Sequence, residues 1–90
     1  MSVTREDVIS IYEDEKARLA GQESGAALLA WACKGTRSRL SSALQAESPH
    51  PVEAADKGAL HATQTAHFTT IWQRVDALVA EAGITEQGRA

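Results

Sequence analysis

Three histidines are the first residues to consider for chemistry, because imidazole binds metals and moves protons near neutral pH. His61 and His67 are six residues apart in a helical stretch, so they point about 120° apart, on different faces. Helical metal ligands are usually three or four residues apart, and the single cysteine offers no second thiolate for zinc. We therefore expect no metal site and no cofactor, with His50 and His67 as polar surface residues.

His61 and Gln64 differ because they fall on the same helical stripe as Phe68, Ile71 and Val75. Polar groups on an apolar stripe are either less buried than the rest, hydrogen-bonded in a buried contact, or functional. All three interpretations stay open, and the functional one predicts a ligand or catalytic pocket around His61 and Gln64. A histidine with no recognisable nucleophile or acid beside it is weak evidence for an enzyme.

Cys33 is the one candidate nucleophile, and it lies on the apolar face of a predicted helix beside Leu29 and Leu40. Free cysteines on such faces usually pack as small hydrophobic side chains. Lys34 follows it in sequence, but a reactive thiolate needs solvent exposure as well as a nearby cation. We expect Cys33 to be buried and inert.

Charge is distributed unevenly along the chain. Residues 1–23 and residues 47–90 each contain six acids and three bases, whereas residues 24–46 contain Lys34, Arg37 and Arg39 and no acid. These bases either pair with acidic neighbours such as Glu13, Asp14 and Glu15 or form a docking surface. Because Arg39 projects away from the other two and the chain is net acidic, nucleic acid is a poor partner.

Trp31 lies off the centre of the apolar stripe of the same helix. An off-centre tryptophan either covers the edge of its own bundle or contacts a partner, since its large ring strengthens interfaces. Together with the uneven charge, this position predicts a protein-binding surface at Trp31, Lys34, Arg37 and Arg39.

The elements that position these residues are three helices. Thr4 is the expected N-cap of a first helix that runs to about Ala20, and Ser24 that of a second from Gly25 to Ala46. The third segment runs from Pro49 or Pro51 to Ala82 and ends at Gly83. Gly58 either kinks this segment or divides it. Within its second half, one stripe contains Phe68, Ile71, Trp72, Val75, Leu78, Val79 and Ala82.

An unbroken third helix of this length would approach ~50 Å, against ~25 Å for the first. The shorter helices could not cover it, so either Gly58 folds it back or its stripe continues onto a second molecule. We expect residues 1–84 to form one helical domain and residues 85–90 a flexible C-terminal tail.

Composition sets outer limits on function. The chain has 90 residues, 43 % of them apolar, and a formal charge of −3. The hydrophobic core of a domain of this size often stabilises the folded state by only ~3–5 kcal/mol, so association with a second subunit would help the chain to fold. No basic, continuously apolar leader and no run near the ~20 apolar residues of a membrane span is present, so we expect a cytoplasmic protein without membrane contact.

The sequence therefore predicts an all-α protein, a three-helix bundle or helical hairpin with a long C-terminal helix, packed as an intersubunit bundle. The function that fits best is a small protein–protein interaction module, an accessory, regulatory or inhibitor protein that forms a homodimer. The alternative is a small enzyme or ligand-binding bundle with its pocket at His61 and Gln64. A helix-turn-helix DNA-binding regulator is less favoured, because Gln22 stands where that motif usually has an apolar residue.

Replacing Ile71 or Val75 with aspartate is expected to unfold the protein or dissociate it, because an unpaired charge would enter an apolar contact. Circular dichroism melts and light scattering measure the two effects. Wild-type melting temperature and mass in both variants would contradict the predicted packing of the third helix.

Overall fold

Three helices packed against each other make up most of the molecule in a computed structural model, which describes residues 3–49, 52 and 56–90. The helices are α1 (Arg5–Leu19), α2 (Gly25–Glu47) and α3 (Lys57–Glu81). Two short strands follow, β1 (Ile84–Thr85) and β2 (Gly88–Arg89), which pair antiparallel. The all-α class is confirmed. His50 and Pro51, for which the sequence predicted a surface position and a helix start, lie outside the described residues.

The start of α1 is fixed by a reciprocal capping box, which confirms the predicted N-cap. The Asp7 backbone N–H donates to Thr4 Oγ1 at 3.1 Å, and the Thr4 N–H donates to Asp7 Oδ2 at 2.9 Å. Two N–H groups that the helix itself leaves unpaired are thereby satisfied. Ser24 occupies the corresponding position before α2, but its side chain makes no capping hydrogen bond, so that part of the prediction is wrong.

The third helix begins later than the prolines suggested. Pro49 and Val52 are not helical, and Asp56 is the N-cap, accepting a 2.7 Å hydrogen bond from the Ala59 N–H. A carboxylate satisfies an orphan N–H and also complements the positive end of the helix dipole, which proline cannot do. Gly58 lies inside the first turn, so it neither kinks nor divides α3. At 25 residues, α3 is about 37 Å long rather than ~50 Å.

The core lies where α2 meets both other helices. α1 contributes Val8 and Tyr12, and α3 contributes residues only from Ile71 onward, so the first half of α3 buries no side chain fully. The buried apolar residues are Val8, Tyr12, Ala32, Cys33, Leu40, Leu44, Ile71, Val75, Val79, Ala82 and Ile84. The apolar stripe of α3 is therefore covered over only part of its length.

The C-terminal residues, for which the sequence predicts a flexible tail over residues 85–90, include a two-stranded hairpin. Gly83 adopts a φ of 71°, a left-handed turn that glycine favours, and its carbonyl accepts from the Ala90 N–H at 2.7 Å. Ile84 is 2 % exposed, and a Cβ on Gly88 would lie 3.5 Å from the side chain of Leu29. The hairpin thus packs on the helices through a buried isoleucine and a glycine backbone.

A buried carboxylate joins α1 to α2. Glu15 is 4 % exposed, and its carboxylate pairs with the Arg18 guanidinium and with Arg39 Nη1, the latter at 3.4 Å. It lies against the backbone of Gly35, where an added Cβ would be 2.9 Å from Glu15 Cδ and closer still to Oε2. Gly35 therefore provides the space that the carboxylate occupies.

Gly35→Ala is expected to destabilise the protein by about 1–2 kcal/mol, because the new methyl group must displace a buried, doubly paired carboxylate. In a Glu15→Ala background, the same substitution is expected to stabilise by up to about 1 kcal/mol, since alanine is the better helix former. Urea unfolding of the double-mutant cycle measures both values.

Ser38→Ala, at an exposed position of α2, is the matched control for helix propensity. Equal effects of Gly35→Ala with and without Glu15 would show that the carboxylate does not need this space.

Candidate functional site

Trp31 and Lys34 form a stacked pair on the exposed side of α2. Lys34 Nζ lies 4.8 Å from the centroid of the Trp31 ring, a cation–π distance. The two residues are one helical turn apart, which brings their side chains together. Trp31 is 50 % exposed, whereas Tyr12 and Leu40 are fully buried. The ring is thus held in place by a cation while much of its surface stays in water.

Arg37, one turn after Lys34 on α2, contacts two residues of α3. Its guanidinium lies 5.7 Å from the centroid of the Trp72 ring, and Nη2 is 2.6 Å from Asp76 Oδ1. Trp72 is 40 % exposed, so the expectation that it shares the buried stripe of α3 is wrong. Its position one residue after Ile71, about 100° around the helix, places it at the edge of that stripe. We call the four residues Trp31, Lys34, Arg37 and Trp72 the tryptophan ridge.

The structure separates Arg39 from this ridge. Arg39 Nη1 approaches Glu15 Oε1 on α1, on the other side of α2 from the contact between Arg37 and Asp76. The three bases therefore behave differently. Arg39 and Arg37 pair with acidic residues of the same chain, whereas Lys34 stacks on a tryptophan. The ridge gains Trp72, which sequence reasoning had not assigned to a site.

His61 and Gln64 lie in the less buried half of α3. His61 is exposed and Gln64 is half-buried. The structure does contain a groove of about 390 Å³ between α1 and α2, but neither residue lines it. The groove is lined by Val3, Asp7, Ser10, Ile11, Asp14, Arg39, Leu40, Ala43 and Glu47. The interpretation that the first half of this helix is simply less buried fits the exposure of His61.

Residues 3–49, 52 and 56–90 contain no group of three or more His, Cys, Asp or Glu side chains placed to hold a metal ion. Within the same ranges, none of the helices is both long and apolar enough to cross a bilayer.

Cys33 and Tyr12 are two buried groups of the described chain with a raised pKa. Burial raises the pKa of the Cys33 thiol above its ordinary value of 9.0, and Arg37 offsets this only in part. Burial also raises the pKa of Tyr12 above 10.0, and the Glu13 carboxylate adds to the increase. The Tyr12 hydroxyl has no hydrogen-bond partner among the described residues. Both groups are neutral core side chains, as expected for Cys33, and neither has the exposure of a nucleophile.

Comparison with known proteins gives no relative on which to base a function. The comparisons found no matching family model, no matching curated protein and no matching solved structure. The tryptophan ridge is therefore interpreted from its own geometry.

Stability is expected to fall in alkaline solution. Folding raises the pKa of Cys33 and Tyr12, so their neutral side chains contribute to the free energy of unfolding. This contribution is fully present below the ordinary pKa values of 9.0 and 10.0, and it is lost as the pH rises through the pKa values of the folded state. Tyr12→Phe removes a buried hydroxyl that has no partner, so this variant should melt no lower than wild type at pH 7. A Tyr12→Phe, Cys33→Ala double variant should lose less stability between about pH 8 and pH 11 than wild type does.

Thermal melts measure this difference, and absorbance of tyrosinate gives a direct titration because the chain has one tyrosine. Ionisation of Tyr12 in the folded protein at its ordinary pKa would contradict the burial described above.

Proposed function

We propose that this chain is a small helical protein–protein interaction module, an accessory, regulatory or inhibitor protein, that docks a partner protein through the tryptophan ridge. The observation that carries the proposal is the exposure of Trp31 and Trp72 on adjacent helices, 50 % and 40 %, each beneath a cation. Tryptophan and arginine are the residues most enriched at the energetic centres of interfaces.

An exposed tryptophan leaves unburied a large apolar surface that a chain with so small a core could use for stability. Covering one indole ring would remove up to ~150–250 Å² of largely apolar surface from water. At about 25 cal/mol per Å², the remaining exposed half of each ring represents roughly 2–3 kcal/mol of unused apolar burial. A partner that covers both rings would gain a large part of this, and Lys34 and Arg37 already restrict the rings, which lowers the entropy cost of docking.

The cations of the tryptophan ridge indicate that the partner surface carries negative charge. Lys34 makes no ion pair within the described part of the chain, and Arg37 pairs with Asp76, whose side chain is 58 % exposed. An acidic group on the partner could pair with Lys34 without displacing an ion pair of the described chain, and it would strengthen association. Nucleic acid suits this surface less well, because the chain as a whole carries a net charge of −3.

We also propose that the protein self-associates as an intersubunit helical bundle. On the apolar stripe of α3, Ile71, Val75, Val79 and Ala82 are buried, whereas the first half of the helix has only half-buried residues, Leu60, Gln64 and Phe68. A second copy would cover what one chain leaves partly open. A reducing compartment such as the cytoplasm suits the free thiol of Cys33.

Trp31→Ser and Lys34→Glu are expected to weaken partner binding at least tenfold without unfolding the protein, because both side chains are exposed in the free chain. Immobilised wild type and variants are compared for the proteins that each captures from native cell extract. The affinity of the captured partner is then measured at low and high salt. The Lys34→Glu defect should shrink as salt rises, since it acts by charge.

Lys57→Glu changes the same charge at an exposed position away from the ridge and is the matched control. A partner held equally by all four proteins would bind elsewhere, and the ridge would lose its proposed role.

A further inference from the structure

The groove between α1 and α2 combines an apolar floor with a charged rim. Leu40 is buried at the bottom of this groove, and Val3 and Ile11 beside it are half-buried. Lys34 and Ala43 are nine residues apart, so the groove lies on the opposite side of α2 from the tryptophan ridge. We call this feature the α1–α2 groove; its exposed rim consists of Asp7, Ser10, Asp14, Arg39 and Glu47.

The rim of the α1–α2 groove is predominantly acidic. Three carboxylates line it against one guanidinium, that of Arg39, which already lies 3.4 Å from the buried carboxylate of Glu15. Asp14 is exposed and makes no ion pair with any described residue. Asp7 accepts the Thr4 N–H with Oδ2, so its other oxygen can still accept from a ligand. The groove therefore favours a cation.

The end of α2 adds to this negative potential. Glu47, on the rim, is the last residue of the helix, and the last turn contains no basic side chain. Backbone carbonyls at a helix C-terminus carry partial negative charge, which cations normally offset. A positively charged occupant would supply what this helix end lacks.

We propose that the α1–α2 groove docks a basic amphipathic helix of a partner protein. Its apolar residues would pack on Ile11 and Leu40, and its lysines would lie beside Asp7 and Asp14. These two acids are seven residues apart, ~10 Å or two turns along α1, and lysines seven residues apart on the partner helix match that separation. Lysine also suits a groove of this kind, because its carbon stem packs on apolar surface while its ammonium group stays at the rim.

The walls of the groove favour a helix over an extended strand. Both walls are helices, whose backbone groups are hydrogen-bonded within each helix, so they offer no sheet edge to which a strand could be added. Recognition therefore depends on side chains, and a helix can lay one face of them along the space between two others. A second copy of this chain suits the groove less well, because each copy carries a net charge of −3.

This surface is independent of the tryptophan ridge and takes a partner of the opposite charge. The ridge presents cations and indole rings, whereas the groove presents carboxylates around an aliphatic floor. With both surfaces occupied, the chain would bring a basic and an acidic partner together on opposite sides of α2.

Fluorescence anisotropy with a labelled model peptide tests the groove on the full chain. The peptide has about 18 residues, with leucines at helical spacing on one face and lysines flanking them. We expect saturable binding of one peptide per chain that weakens as salt rises. A peptide with glutamate in place of every lysine should not bind.

Two pairs of variants locate the site. Ala43→Gln fills part of the groove with a larger neutral side chain, and Asp14→Lys reverses a charge on its rim. Each should raise the dissociation constant of the peptide roughly tenfold. Ala46→Gln and Glu86→Lys make the same changes at exposed positions that do not line the groove, and both should bind as wild type does. Circular dichroism should be the same for all four variants, because all four side chains are exposed.

Three outcomes would overturn the proposal. Equal dissociation constants for all four variants would place the peptide elsewhere, and tight binding of the glutamate peptide would show that charge does not select the occupant. A mass of the protein alone that falls on Asp14→Lys in light scattering would identify a second copy as the occupant. Trp31→Ser should leave peptide binding unchanged, so failure of the tryptophan ridge and failure of the groove are distinguishable.

Discussion

The buried Glu15 carboxylate occupies, between α1 and α2, the space that a side chain at position 35 would need. A residue larger than glycine would push the carboxylate away from the contact that it makes with Arg39 across the helix pair. A buried carboxylate is tolerated only with partners, and two guanidinium groups, one from each helix, supply them. The same helix α2 also packs on α3 and on the C-terminal hairpin.

Sequence patterns gave the helices because helix formation is largely local. Thr4 has the residue type of an N-cap, and the periodic apolar residues that follow indicate one buried face. The predicted start of α3 was wrong. Proline is common in first helical turns, which favoured Pro49 or Pro51, but the side chain of Asp56 caps the helix. The hydrogen bond from the Ala59 N–H to the Asp56 carboxylate therefore decides where the helix begins, seven residues after Pro49.

Non-local features could not be read in the same way. Glycine has a low intrinsic helix propensity, and only the approach of Glu15 from another helix shows why α2 has glycine at position 35. The hairpin after Gly83 gives no alternating apolar pattern, because its strands are two residues long and only Ile84 is buried. Its packing depends on Leu29, far away in sequence. Local periodicity contains no information about such contacts.

The candidate site was predicted in part, for the same reason. The acid-free stretch with Trp31 drew attention to α2, but charge counting alone could not say which cation lies near which helix. Arg37 and Arg39 are two residues apart and so point in different directions, one toward Asp76 on α3 and the other toward Glu15 on α1. Internal pairing thus uses the arginines to hold α2 between its neighbours. It leaves Lys34 and the two indole rings as the part of the segment that internal packing does not explain, and the interaction proposal rests on them.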